Sequence, residues 1–144
     1  MGKTLPAYQG SCHCGAIGFE LRSGVPPINW SIRACQCSFC RAHGALSMSE
    51  PNGEIRFEIR DSTHVRRYRF GLRTADFLLC GHCGVYVGAV IATERGSFGI
   101  INLRTLSDPP DDFADPAAVD YDGEDTGARI ARREEKWMAV TGIA

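Results

Sequence analysis

Seven cysteines fall in three short clusters: Cys12-His13-Cys14, Cys35-Gln36-Cys37-Ser38-Phe39-Cys40 and Cys80-Gly81-His82-Cys83. None stands alone as a core cysteine. Thiols at this spacing are metal ligands first, and a chain that carries them has to fold so that distant segments meet around an ion. Two thiols from the first cluster and two from the last make a closed four-sulfur site, which is structural. The three in the middle make a site with one coordination position left over, where chemistry becomes possible. A different partition, Cys80 and Cys83 with two of the middle cysteines, is also compatible with the spacing.

Disulfides suit the chain less well. The first ten residues, from Met1-Gly2 to Gly10, contain no apolar run of the kind a secretory leader needs. Pro6 stands where a myristoylation pattern requires Ser or Thr. The expected compartment is therefore the reducing cytoplasm, where thiols stay free or bind metal. An odd number of cysteines points the same way. No stretch is apolar over the roughly 18 residues that a membrane span requires. The formal net charge of −1 gives no global attraction to nucleic acid or to an anionic surface.

With 144 residues the chain is expected to be a single zinc-binding domain over 1–144, with its core at about 8–105. Ala16 to Arg22 and Glu54 to Arg60 alternate apolar and polar residues, the mark of half-buried antiparallel strands. His64 to Phe70, with Tyr68 and Phe70 inward, Phe77 to Leu79, Val85 to Ile91 and Ser97 to Leu103 read as further strands. Ser38 to His43 reads as a helical turn capped by a serine. The Asp/Pro-rich stretch from Leu106 to Asp125 carries eight acids and no base, and reads as an irregular loop with few contacts. Thr126 to Ala139 reads as a terminal helix that docks through Ile130, Trp137 and Met138. The fold class is mainly β with minor helix, built around zinc.

The chemistry follows from the sulfurs. Cys80-Gly81-His82-Cys83-Gly84 is a zinc knuckle, and Cys12 and Cys14 offer two sulfurs from one face of an extended segment. The trio Cys35, Cys37 and Cys40 would give zinc three thiolates and a formal charge of −1. Such a centre is a weak Lewis acid toward water and suits a soft fourth ligand, a thiol above all. Thiol addition to a small carbonyl compound fits it better than hydrolysis. His43, which continues the two-residue spacing after Cys40, is the residue that could close this site. His13 and His82 lie between ligands and point away from the sulfurs, and His64 reads as a surface residue. Arg41, next to a ligand, reads as a structural salt-bridge partner, and the arginine-rich stretch Arg56, Arg60, Arg66, Arg67, Arg69 and Arg73 reads as solvated surface. The sharper reading is that some of them hold a substrate carboxylate in a two-point fork.

The order of motifs, Gly10-Ser11-Cys12-His13-Cys14-Gly15-Ala16, then Cys35-Gln36-Cys37-Ser38-Phe39-Cys40-Arg41, then Cys80-Gly81-His82-Cys83-Gly84, resembles the glutathione-dependent formaldehyde-activating enzyme family, related to centromere protein V. The resemblance covers roughly residues 8 to 105. It implies a β-tent of antiparallel sheets around two zinc ions. It also implies a structural zinc on Cys12, Cys14, Cys80 and Cys83, and a catalytic zinc on Cys35, Cys37 and Cys40. The implied activity is that of a carbon–sulfur lyase, joining glutathione to formaldehyde as S-(hydroxymethyl)glutathione, so the expected partners are a small thiol and a small aldehyde. Two other classes compete: a zinc module that binds a protein or nucleic acid without catalysis, and a redox or metal sensor that releases zinc on oxidation. The short basic stripe and the lack of paired aromatic stacking positions count against nucleic acid.

Overall fold

In a computed structural model that describes residues 5–143, one connected sheet organises the chain. Met1 to Thr4, where part of the expectation about the amino-terminal start falls, and Ala144 lie outside the described residues. The first hairpin pairs β1 (Ala7–Ser11) with β2 (Ile17–Arg22), and the turn between them carries Cys12 and Cys14. Next come β3 (Ser31–Cys35), the one-and-a-half-turn helix α1 (Ser38–His43) and the short β4 (Ser47–Ser49). The strands β5 (Glu54–Ile59), β6 (Val65–Tyr68), β7 (Asp76–Cys80), β8 (Tyr86–Thr93) and β9 (Gly96–Asn102) follow. The chain finishes with β10 (Ala117–Val119), helix α2 (Thr126–Lys136) and β11 (Met138–Ile143).

The sheet forks at β9. Antiparallel β8 pairs with it from Gly96 to Ile101, while β11 pairs with its first half and β4 with its second. Through β11 the sheet continues to β5, β2 and β1; through β4 it continues to β3 and β10. Strands that leave one edge in two directions enclose a core between them. Ile17, Phe19, Leu21, Ile55, Phe57, Met48, Leu78, Ile101 and Met138 fill it without solvent contact. The inward residues of β2 and β5 are those that sequence alternation picks out, and Phe19 faces Phe57 across the strand pair.

Four local expectations change. The terminal helix stops at Lys136, and Met138 to Ile143 form a strand between β5 and β9, parallel to the first and antiparallel to the second. Trp137 and Met138 are buried as expected, but they belong to the helix exit and that strand. The Asp/Pro-rich stretch is not free of contacts: β10 pairs in parallel with β3, and Phe113 packs near Trp30. The cap of α1 is Cys37, not Ser38. Tyr68 is half-exposed, whereas Phe70 is partly buried in a cluster with Phe39 and Phe77.

Candidate metal centres and the cavity beside them

The first and last cysteine clusters meet. Cys12 and Cys14 in the β1–β2 turn face Cys80 at the end of β7 and Cys83 in the β7–β8 turn, with all four sulfurs within 4.8 Å of one another. Two matched turns place them. Gly15 donates its N–H to the Cys12 carbonyl, and Gly84 donates to that of Cys80. Both glycines have positive φ, +86° and +82°, a conformation that costs a side-chain-bearing residue energy. Backbone amides then point at the sulfurs: Ile17 N–H at Cys12 Sγ (3.3 Å), and those of His82 and Cys83 at Cys80 Sγ (3.4 Å each). Cys14 Sγ lies 3.8 Å from Cys12 Sγ and 3.5 Å from Cys80 Sγ. A tetrahedron with zinc–sulfur bonds of about 2.3 Å has edges of about 3.8 Å, so these sulfurs fit zinc.

Cys35, Cys37 and Cys40 also gather, with their sulfurs within 4.8 Å of one another. Cys35 ends β3, Cys37 caps α1 by accepting the Cys40 N–H on its sulfur (3.4 Å), and Cys40 is buried in the first turn. The segment β10 braces this corner, because the Gln36 N–H donates to the Val119 carbonyl at 2.9 Å. Three thiols this close cannot all ionise independently. Hydrogen bonds from Cys35 and Cys40 pull the Cys37 thiol far down, and those with Cys35 and Cys37 push the Cys40 thiol far up. A bound cation removes that conflict, and soft sulfur donors suit zinc. Among the described residues no His, Asp or Glu joins this trio as a fourth ligand within the same distance. His43 turns aside: its ring lies 4.5 Å from that of Phe39 and is exposed.

The other candidates scatter. His13 and His82 are exposed, and His82 stacks on His64 at 4.9 Å. Arg67 and Arg69 bind Asp76, Arg60 binds Glu58 and the Gly15 carbonyl, and Arg41 is exposed. None of the arginines of that stretch reaches the cavity next to the trio. This cavity, of about 390 Å³, has Cys35, Cys37 and Cys40 in its wall, together with Phe70, Phe77 and Trp137. Its basic groups are Arg33 from β3 and Arg129, Arg132 and Arg133 from α2. Those four escaped the sequence reading, although positions 129, 132 and 133 share one helical face by their three- and four-residue spacing. Burial, then the like charges of Arg132 and Arg129, lowers the Arg133 guanidinium to about 10. The hydroxyl of Tyr86, fully buried beneath the same corner, has no hydrogen-bond partner among the described residues.

Fold and site together define a mainly β protein with two thiol clusters, each fit to hold a metal ion, one of them facing a cavity. Residues 7–122 match the family model described as glutathione-dependent formaldehyde-activating enzyme, and the chain belongs to that family. A crystal structure of a Rhodobacter sphaeroides protein, solved by structural genomics, is similar to it at 27% identity with a TM-score of 0.56, covering 77% of this chain and 99% of that one. Helix α2 begins after the residues that match the family model.

Proposed function

We propose that the protein is a zinc-dependent carbon–sulfur lyase that joins glutathione, or a similar thiol, to formaldehyde or another small aldehyde. Family membership supports the reaction class. The observation that carries the reading is the trio of sulfurs in a cavity wall, with no fourth side-chain ligand among the described residues. Cys35, Cys37 and Cys40 are the residues that would hold the catalytic zinc, and Cys12, Cys14, Cys80 and Cys83 the structural one. A zinc ion on three thiolates supplies one thing, a lowered pKa for an incoming thiol, so that the sulfur is ionised at neutral pH.

The chain's own residues do the rest. Phe70, Phe77, Ile100 and Trp137 wall the cavity with apolar surface and limit water beside the reacting atoms. The cavity holds thiol and aldehyde together, and this proximity is the main source of acceleration. The bond formed is sulfur to carbonyl carbon. The thiol proton leaves to solvent, the carbonyl π pair moves to oxygen, and that oxygen takes a proton to give the hydroxymethyl thioether. Seven reduced cysteines in this role suit the cytoplasm. Among the described residues no helix is long and apolar enough to cross a membrane.

The test compares the rate of glutathione consumption with formaldehyde against the spontaneous rate, in wild type and in Cys37→Ser, with the zinc content of both measured. An enzymatic rate in wild type that vanishes in the variant is expected. Equal rates in the two proteins would remove the catalytic role.

A further inference from the structure

The cavity beside the cysteine trio has a basic wall that metal binding does not account for. Four arginines, Arg33, Arg129, Arg132 and Arg133, line it together with Asp120 and Asp122. Arg129 and Arg132 have partners: both bind Glu124, and Arg132 lies 3.6 Å over the ring of Tyr121. Arg33 and Arg133 differ. They are 9% and 7% exposed, and neither forms an ion pair among the described residues.

Their hydrogen bonds show which edges are spent. Arg33 donates to Ser49 at 2.8 Å and to Ser31 at 3.4 Å. Arg133 donates from Nη1 to Thr74 Oγ1 at 2.6 Å, and its guanidinium lies 4.7 Å from the Trp137 ring. Its Nε is buried with no hydrogen-bond partner, and Nη2 donates to no described residue. Nε–H and Nη2–H form one edge of the guanidinium fork, the edge that grips both oxygens of a carboxylate. A buried cation with an unspent fork edge on a cavity wall is unfavourable unless an anion arrives.

We propose that Arg133, supported by Arg33, seats a carboxylate of the thiol substrate, so that helix α2 selects thiols that carry an acid group. The inference rests on the thiol-binding reading of the trio. It gives α2, which lies outside the residues matching the family model, a positioning and specificity role. Thr74 and Trp137 hold the guanidinium at the cavity wall.

The probe is S-methylglutathione, which keeps both carboxylates but has no thiol, titrated by calorimetry into the zinc-loaded full chain. Wild type is expected to bind it, and Arg133→Met to bind it roughly 10- to 100-fold more weakly, the loss that follows from removing charge-assisted hydrogen bonds. Arg133→Lys keeps the charge without the fork and is expected to fall between them. It also serves if Arg133→Met fails a circular-dichroism check of folding. Equal affinities for wild type and the variant that folds would overturn the carboxylate seat, and so would no binding to wild type. A parallel titration separates this from the reading beneath it. 2-Mercaptoethanol, a thiol without a carboxylate, is added to the cobalt-substituted protein, and the sulfur-to-cobalt band is followed. If that band does not respond while S-methylglutathione still depends on Arg133, thiol activation falls and the carboxylate seat stands. If the band responds but Arg133 makes no difference to S-methylglutathione, the seat falls and thiol activation stands.

Discussion

Replacing both Cys80 and Cys83 with serine should destabilise the protein more than replacing both Cys35 and Cys37, and the margin follows from chain separation. Cys14 and Cys80 are 66 positions apart, whereas Cys35 and Cys40 are five apart. An unfolded chain can bring the trio around an ion at little cost, so part of that ion's binding energy is kept on unfolding and does not count as stability. To rebuild the four-sulfur clasp, the unfolded chain has to close a long loop first. The difference in closure entropy, (3/2)RT ln(66/5), is about 2 kcal/mol. At this chain length roughly 3 °C of melting temperature corresponds to each kcal/mol, so the clasp variant should melt about 6 °C below the trio variant. Both proteins are melted in the same buffered zinc and followed by far-ultraviolet circular dichroism, with metal content determined beforehand. A trio variant that melts as low as the clasp variant, or lower, would refute the division into a structural and a reactive ion.

Deleting residues 138–144 should abolish cooperative thermal unfolding. It strips the partner from β5 on one side and from half of β9 on the other, and it removes the fully buried Met138; a sharp transition in the truncated chain would contradict the central place of β11. Acid should weaken the hold of α2 through Glu124. Hydrogen bonds from Arg132, with Arg129 adding to them, keep its carboxyl below the ordinary 4.5 although burial pulls upward. Because the folded value is the lower one, the contribution is complete above pH of about 4.5 and fades as pH falls through the depressed value. Urea midpoints of wild type and Glu124→Gln should therefore differ at pH 7 and converge as pH falls through the depressed value, and a gap that does not shrink on acidification would contradict the assignment.

What the sequence discloses and what it hides divide along one physical line. The cysteine clusters are legible because ligand spacing is local: a knuckle is a turn of four residues whatever surrounds it. β2 and β5 are legible because alternation along one strand reports one buried face. β11 is hidden because Met138 to Ile143 follows directly on a helical pattern, and its reason to be extended lies in β5 and β9, far back in the chain. The sulfur cap on α1 is hidden for a related cause. A serine next to the start of a helix is the ordinary cap, and only the gathered trio shows that Cys37 Sγ already faces the Cys40 amide.

The same line separates the surface arginines from the buried ones. Residues 56 to 73 are dense in arginine, but dense charge on β5, β6 and the loop after it is the sign of a solvated surface, and there the guanidiniums find carboxylates and carbonyls close by. An arginine that waits for a ligand is instead one that the fold buries and leaves unpaired. Such a residue is invisible in composition, since α2 also carries Glu134 and Glu135 and reads as an ordinary amphipathic helix. Placement by β11 changes its meaning. That strand, held between β5 and β9, follows directly on α2, and the arginines of the helix line the cavity beside Cys35 and the residues after β10. The late segment of the chain thus completes a site whose sulfurs come from its first third, and the acid group and the sulfur of one small ligand can be held by two segments nearly a hundred positions apart.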